Sequence, residues 1–391
     1  MEKNMIDEPV HGGNIREISW KSGIPEENLV DFSANINPIG PPAWLKETLI
    51  EELPHLTHYP DRSVTALIGA ISESYGLPEQ KIVAGNGTTE LFFTLPRAAG
   101  YKRLIVPVPS YGDYSYANRI AGVDVSEHCL LEENGFLPDF HAIEKDIIKS
   151  GPDTAVILAL PNNPTGLLFD REQFLRLVRS YPDVLFCVDE AFADFLPPGL
   201  SLLNENTENL LIFRSFTKFF AIPGLRLGWL SCSGALAENI RRMLPTWSVN
   251  ALAEAVGIKA CGDREYAERT IGYVEKARKE LLDALKELDG LHVYPGEANF
   301  LFARIEDREG RQRTATGLYR HLLKKGIIIR LCKSYPGLDD RFFRIAVRTS
   351  DENKRLVRGI RSYFLNDGVD TDPDADHAKG SPTNEASDAP S

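Results

Sequence analysis

Cysteine is scarce in this chain. Five residues in 391 (Cys129, Cys187, Cys232, Cys261 and Cys332) stand far apart, none at the spacing of a metal knuckle or a redox pair. That pattern argues against a disulfide framework, predicts no metal site and fits a reducing cytoplasm. Positive charge is also short: 44 Lys and Arg against 56 Asp and Glu give a net charge of −12. A general nucleic-acid binder would carry a basic face, so that class is excluded. Long apolar runs are missing, and none approaches the ~18 residues of a membrane span. The opening segment Met1 to Pro9 lacks the apolar core of a signal peptide. The expectation is a soluble, unanchored cytoplasmic protein without nucleic-acid or membrane partners.

What is present has a clear organisation. The length allows one large domain and a smaller one. Residues 1–40, rich in Gly, Asn and Pro, read as an irregular, extended N-terminal arm. From about residue 43, short apolar runs (Leu104–Val108, Ala155–Leu160, Val184–Val188, Leu210–Phe213) alternate with helical periodicity such as Arg171–Ser180. This alternation predicts an α/β large domain over 41–262, with a mostly parallel sheet covered by helices. A charged periodic segment from about Asp263 to Leu288 reads as a connecting helix. It opens a small α+β domain over 263–366, with strands at Leu291–Tyr294, Phe300–Ile305, Ile327–Arg330 and Phe342–Val347 and two further helices. Residues 367–391 hold seven Asp or Glu, one Lys and almost nothing to bury, and read as a disordered acidic tail.

Four motifs fall at the ends of these strands, where open α/β sheets bind ligands. Gly85-Asn86-Gly87-Thr88-Thr89-Glu90 follows Ile82-Val83-Ala84 and opens a helix, whose free N–H groups suit an anion. Pro161-Asn162-Asn163-Pro164-Thr165-Gly166 ends the run Ala155–Leu160 and offers an amide donor at Asn163. Asp189 ends the run Val184–Val188 and could pair with a protonated pyridine nitrogen. Ser215-Phe216-Thr217-Lys218 sets a lysine beside two hydroxyls, and Arg226 follows in Gly224-Leu225-Arg226-Leu227-Gly228. An imine-forming amine, with hydroxyl and guanidinium groups to hold a phosphate, is what a carbonyl cofactor needs. Taken alone, each motif reads as a turn, a cap or a surface charge. Their joint order at successive strand ends carries the chemistry.

With those residues in place, the chain resembles the fold-type I pyridoxal-phosphate (PLP) enzymes of the aspartate aminotransferase superfamily over about residues 10–365. The resemblance implies the fold-type I transferase fold, with a mostly parallel seven-stranded sheet. It implies Lys218 as the Schiff-base lysine, Asp189 on the pyridine nitrogen and Asn163 on the ring oxygen. Tyr111, in Pro109-Ser110-Tyr111-Gly112, would stack on the ring. Gly87, Thr88, Ser215, Thr217 and Arg226 would form a phosphate cup. Tyr59, in His58-Tyr59-Pro60, would reach the phosphate of a neighbouring subunit, which implies a homodimer with shared active sites. In place of the tyrosine that many aminotransferases carry three residues after the nitrogen-pairing aspartate, this chain has Phe192, so the ring oxygen would rest more on Asn163.

Two further segments narrow the resemblance to the threonine-phosphate decarboxylase family of cobalamin biosynthesis, with histidinol-phosphate aminotransferases as the sister branch. They are His11-Gly12-Gly13-Asn14-Ile15-Arg16-Glu17 and Asp31-Phe32-Ser33-Ala34-Asn35-Ile36-Asn37-Pro38-Ile39-Gly40-Pro41-Pro42. The match implies substrate contacts from His11, Gly12, Asn35 and Asn163, and from two anion-binding arginines, Arg330 and Arg344. The implied reaction is decarboxylation of L-threonine O-3-phosphate; L-serine O-phosphate decarboxylation and histidinol-phosphate-type transamination stay open as alternatives. The cysteine-rich C-terminal extension of some related decarboxylases has no counterpart here, so no metal module is expected. A transcription regulator on the same fold would need a DNA-reading module, and residues 1–40 are too few and not basic.

Overall fold

A computed structural model describes residues 8–306 and 313–365. The predicted acidic tail 367–391 lies outside the described residues. The first strand, β1 (Val30–Asp31), belongs to the arm. The next seven are β2 (Ile82–Gly85), β3 (Arg103–Val108), β4 (Asp124–Cys129), β5 (Thr154–Ala159), β6 (Leu185–Asp189), β7 (Leu210–Ser215) and β8 (Gly228–Ser231). They form one sheet in the order β2-β8-β7-β6-β5-β3-β4, in which β8 runs against its neighbours and the other pairs are parallel. This is the α/β fold with a mostly parallel seven-stranded sheet.

The central strands are apolar without interruption because helices cover both faces. Along β5, Val156 and Leu158 join the core on one side while Ala155 and Ile157 join the core on the other. β7 divides likewise, with Leu210 and Ile212 on one side and Leu211 and Phe213 on the other. Polar side chains are thereby driven to the strand ends. Asp189 closes β6, Asn163 and Lys218 follow β5 and β7 within four residues, and Tyr111 follows β3. All therefore lie along the carboxyl edge of the sheet.

The predicted connecting helix spans Arg264–Lys286, and the Asp263 side chain caps it by accepting from Tyr266 N at 3.0 Å. Beyond it lie β9 (Leu291–Tyr294), β10 (Phe300–Ile305), β11 (Ile327–Ile328), β12 (Arg330–Leu331) and β13 (Phe342–Ala346). A four-stranded antiparallel sheet, ordered β12-β13-β10-β9, shares an apolar core with the helices Ala315–Leu323 and Ser350–Leu365.

Two expectations need correcting. The predicted strand Ile327–Arg330 is two pieces: β11 leaves the four-stranded sheet to pair with β1, while β12 pairs with β13. The arm is not irregular throughout. It contains a helix, Ile15–Ser22, and β1 pairs in parallel with β11, through Val30 with Ile327 and Asp31 with Ile328. Phe32 follows fully buried in the C-terminal core. Burial of that ring and the added ladder bonds offset the local Gly and Asn content, which by itself favours loop.

Candidate active site

Lys218 sits in a four-residue helix, Phe216–Phe219, entered from β7 through Ser215. Ser215 Oγ is 2.8 Å from Thr217 Oγ1, and Lys218 Nζ donates to Ser215 Oγ at 3.5 Å. The amine lies 6.0 Å from the centre of the Phe192 ring. Burial pushes its pKa down to about 8; Asp189 opposes the shift and Arg226 adds to it. A free amine is thus reached far closer to neutrality than for an ordinary lysine.

Asp189, on the adjacent strand, is buried. It accepts a hydrogen bond from Tyr114 Oη and another from Ala191 N at 2.9 Å. Burial raises its pKa, while these two donors and the Lys218 charge pull it back. The carboxyl is held in place and stripped of water, as an acid that pairs with a ring nitrogen must be.

The residues fit pyridoxal phosphate. Gly87 has φ +75, and a Cβ there would stand 2.6 Å from Arg226 Nη2. A Cβ on Gly228 would stand 2.6 Å from Thr88 N. Only glycines therefore leave this cradle open at the N-terminus of the helix Gly87–Ala99, where backbone N–H groups point outward. Arg226 itself adopts φ +57, and its guanidinium donates only to Pro223 O at 3.3 Å, with no carboxylate partner among the described residues. The Ser215 and Thr217 hydroxyls, bonded to one another beside Lys218, are further polar groups available to a phosphate. A phosphate, a pyridine nitrogen and an aldehyde each find a matching group.

The substrate-side residues also converge. Arg330 and Arg344 are directly opposite one another across β12 and β13, and both are buried. Arg330 donates to Val10 O at 2.5 Å and Ser334 Oγ at 3.2 Å. Arg344 donates to Asn163 Oδ1 and, at 2.7 Å, to Ser33 O. Among the described residues neither arginine has a carboxylate partner. Because a guanidinium can only donate, Asn163 turns its oxygen to Arg344 and keeps its NH₂ free to donate elsewhere. Asn35 is buried with neither amide atom hydrogen-bonded. An unpaired buried amide costs about 1–3 kcal/mol, so such a group is suited to a ligand. Half-exposed His11 reaches Asp113 Oδ1 at 3.0 Å and lies 5.3 Å, ring to ring, from Tyr111. Gly12 fits closely, since a Cβ there would meet Ser33 O at 2.4 Å.

Tyr59 stands apart from this group. It is 77% exposed and stacks on Trp247 at 4.1 Å. Tyr114, Asp113 and Tyr335 were not picked out by the sequence reading. Tyr335 Oη lies 3.5 Å from Asn163 Oδ1, and its ring lies 5.1 Å from the Arg330 guanidinium. Tyr114 stands in the first turn of the helix Asp113–Ile120, and only its contact with Asp189, 75 residues on, marks it out. No group of His, Cys, Asp or Glu among the described residues could hold a metal ion, and no described helix is long and apolar enough to cross a membrane.

Known proteins resemble this chain over most of its length. The chain is 36% identical over 91% of its length to the adenosylcobalamin biosynthesis bifunctional protein CobDQ of Leptospira interrogans, of which it spans 41%. It is 37% identical to the threonine-phosphate decarboxylase of Salmonella typhimurium, covering 90% of this chain and 96% of that one. The crystal structure of the histidinol-phosphate aminotransferase from Clostridium acetobutylicum superposes with a TM-score of 0.79 at 31% identity, covering 85% of this chain and 98% of that one. The profile described as aminotransferase class I and II matches residues 27–360, and the chain belongs to that pyridoxal-phosphate-dependent family.

Proposed function

We propose that this enzyme decarboxylates L-threonine O-3-phosphate to (R)-1-amino-2-propanol O-2-phosphate, the linker of the cobalamin nucleotide loop. One observation carries the reading most: two buried arginines stand side by side with no carboxylate between them. Like charges directly opposite on paired strands repel. A substrate bearing both a phosphate and a carboxylate would neutralise them. His11, Gly12, Asn35 and the Asn163 amide complete the set of anion and oxygen contacts.

Pyridoxal phosphate, when bound, supplies an aldehyde for the substrate amine and a ring that accepts the electron pair left by the departing carboxylate. The chain's own residues would do the rest. Lys218 would hold the cofactor's aldehyde and, as a free amine, would carry a proton to the substrate Cα. Asp189 would hold a proton at the ring nitrogen, and Tyr111 would offer its ring to the cofactor's face. Gly87, Thr88, Ser215, Thr217 and Arg226 fix the phosphate. Arg330, Arg344 and His11 would hold the substrate's phosphate and carboxylate, and so set which bond at Cα is oriented for cleavage. That choice is a matter of rotation between fixed anion sites. The exposed Tyr59 fits a further role, reaching the cofactor phosphate of a second copy in a homodimer. The identity of 36–37% to the two cobalamin-pathway relatives supports this reaction.

The test is product analysis. Purified protein loaded with pyridoxal phosphate and given L-threonine phosphate should release CO₂ and aminopropanol phosphate. Conversion of 2-oxoglutarate to glutamate without CO₂ would overturn the proposal in favour of transamination. Serine phosphate should react less well, since one methyl is worth only about 1–3 kcal/mol in a pocket.

A further inference from the structure

We propose that Asn37 is a positioning residue that fixes the backbone under Lys218 and ties it both to the arm and to the connecting helix. Asn37 lies in the second N-terminal motif, two residues beyond Asn35. It is buried, and no cup or substrate-side residue named above is among its hydrogen-bond partners.

The lysine's own helix is four residues long, so its last carbonyls have few intrahelical partners. The Lys218 carbonyl receives Ala221 N at only 3.4 Å, whereas Asn37 N donates to it at 3.0 Å. The next carbonyl, that of Phe219, receives Asn37 Nδ2 at 2.7 Å. One residue thus holds two consecutive carbonyls at the base of the reacting side chain. The same amide lies 2.9 Å from Tyr266 Oη and 3.0 Å from Thr270 Oγ1, both on the helix Arg264–Lys286. Tyr266 Oη in turn lies 3.1 Å from Phe219 O and 2.7 Å from Gly40 O. Asn37 Oδ1 accepts from Ile39 N at 3.1 Å, which orients the amide.

Three parts of the chain therefore meet at this side chain: the lysine segment, the arm that carries Asn35, and the helix leading to the sheet that carries Arg330 and Arg344. A lysine that must alternate between holding a cofactor and carrying a proton needs a fixed Cα. A displacement of about 1 Å in a reacting group can cost roughly 10²-fold in rate.

The inference rests on the assignment of Lys218, so the experiment tests the two separately. Asn37→Asp keeps the shape but replaces the donating NH₂ with an acceptor facing a carbonyl. Asn37→Ser, which buries no charge, is the second variant in case the first fails to fold. The readouts are cofactor uptake by the cofactor-free protein as a function of pH, followed by absorbance, and kcat and KM for threonine phosphate per bound cofactor. The expected result is a shifted pH midpoint of uptake and a kcat lower by roughly 10²-fold, with KM held within about threefold. A lowered Tm with wild-type kcat per site and an unmoved midpoint, in either variant, would overturn the proposal and leave Asn37 as a buried hydrogen-bonding residue only. A Lys218→Ala protein that keeps the bound-cofactor absorbance would instead remove the Lys218 assignment, whatever the Asn37 variants do.

Discussion

Replacing Arg344 by Met should separate stability from function in a way a structural arginine would not allow. Breaking a buried ion pair usually costs about 3–5 kcal/mol, because a charge is stranded. Here nothing charged is stranded, since the partners of Arg344 are the neutral oxygens of Asn163 and Ser33. The loss of two charge-assisted hydrogen bonds costs roughly 3–6 kcal/mol. Relief of the Arg330–Arg344 repulsion returns part of this, on the order of 3 kcal/mol for any two like charges about 6 Å apart at an effective dielectric near 20. The net change is about 0–3 kcal/mol, a fall in Tm of several degrees at most. Affinity should change far more. The assay is thermal unfolding of cofactor-loaded protein, so that the phosphate cup is filled, with and without inorganic phosphate. Wild type should gain about 2.7 kcal/mol at a phosphate concentration 100 times its Kd, and the variant much less. In parallel, kcat/KM for threonine phosphate should fall roughly 10²-fold, the equivalent of about 2.7 kcal/mol. A variant that melts far below wild type yet keeps its phosphate stabilisation and KM would refute the argument. Arg344 would then be structural.

Two other predictions follow from the same site. Uptake of pyridoxal phosphate by the cofactor-free protein should rise with pH through a midpoint at about 8, because burial lowers the Lys218 pKa and only the free amine reacts; a midpoint near the ordinary lysine value would contradict the buried environment. Tyr114→Phe removes a donor to Asp189, so the carboxyl, already raised by burial, should take up a proton at still higher pH. Cofactor loss should then quicken about tenfold or more on the acid side, where a protonated Asp189 no longer accepts from the ring nitrogen, and stopped-flow absorbance would measure it.

The groups that proved easiest to read were those whose residue type is unusual for its place. A glycine opening a helix, an acid ending an apolar strand and a lysine beside two hydroxyls conflict with local expectation, and each of them falls in the candidate site: Gly87, Asp189 and Lys218. The α/β sheet was legible for a related reason, since continuous apolar runs such as that of β5 mark strands buried on both faces. Tyr114 and Asp113 were hidden because an aromatic or an acid on a helix is ordinary, and its meaning comes only from what lies across the fold. Asn37 sat inside a motif that was noticed, but the partners of its side-chain NH₂ are 182 or more residues away. The arm was misread as irregular because its order depends on β11, nearly the whole chain later, and not on its own sequence.

That distance sets a clock on assembly. Val30 and Ile327 are 297 residues apart (327 − 30 = 297). At a synthesis rate of roughly 5–20 residues per second, β1 would wait about 15–60 s for its partner strand. Until then Phe32 has no core to enter, and of the arm's contacts only those such as Asn37 makes with Lys218, Phe219, Tyr266 and Thr270 can already form. The seven-stranded sheet, complete by Ser231, can form well before this. The protein would therefore pass through a stage with a finished scaffold and an unfinished site, in which the lysine is present before Arg330 and Arg344.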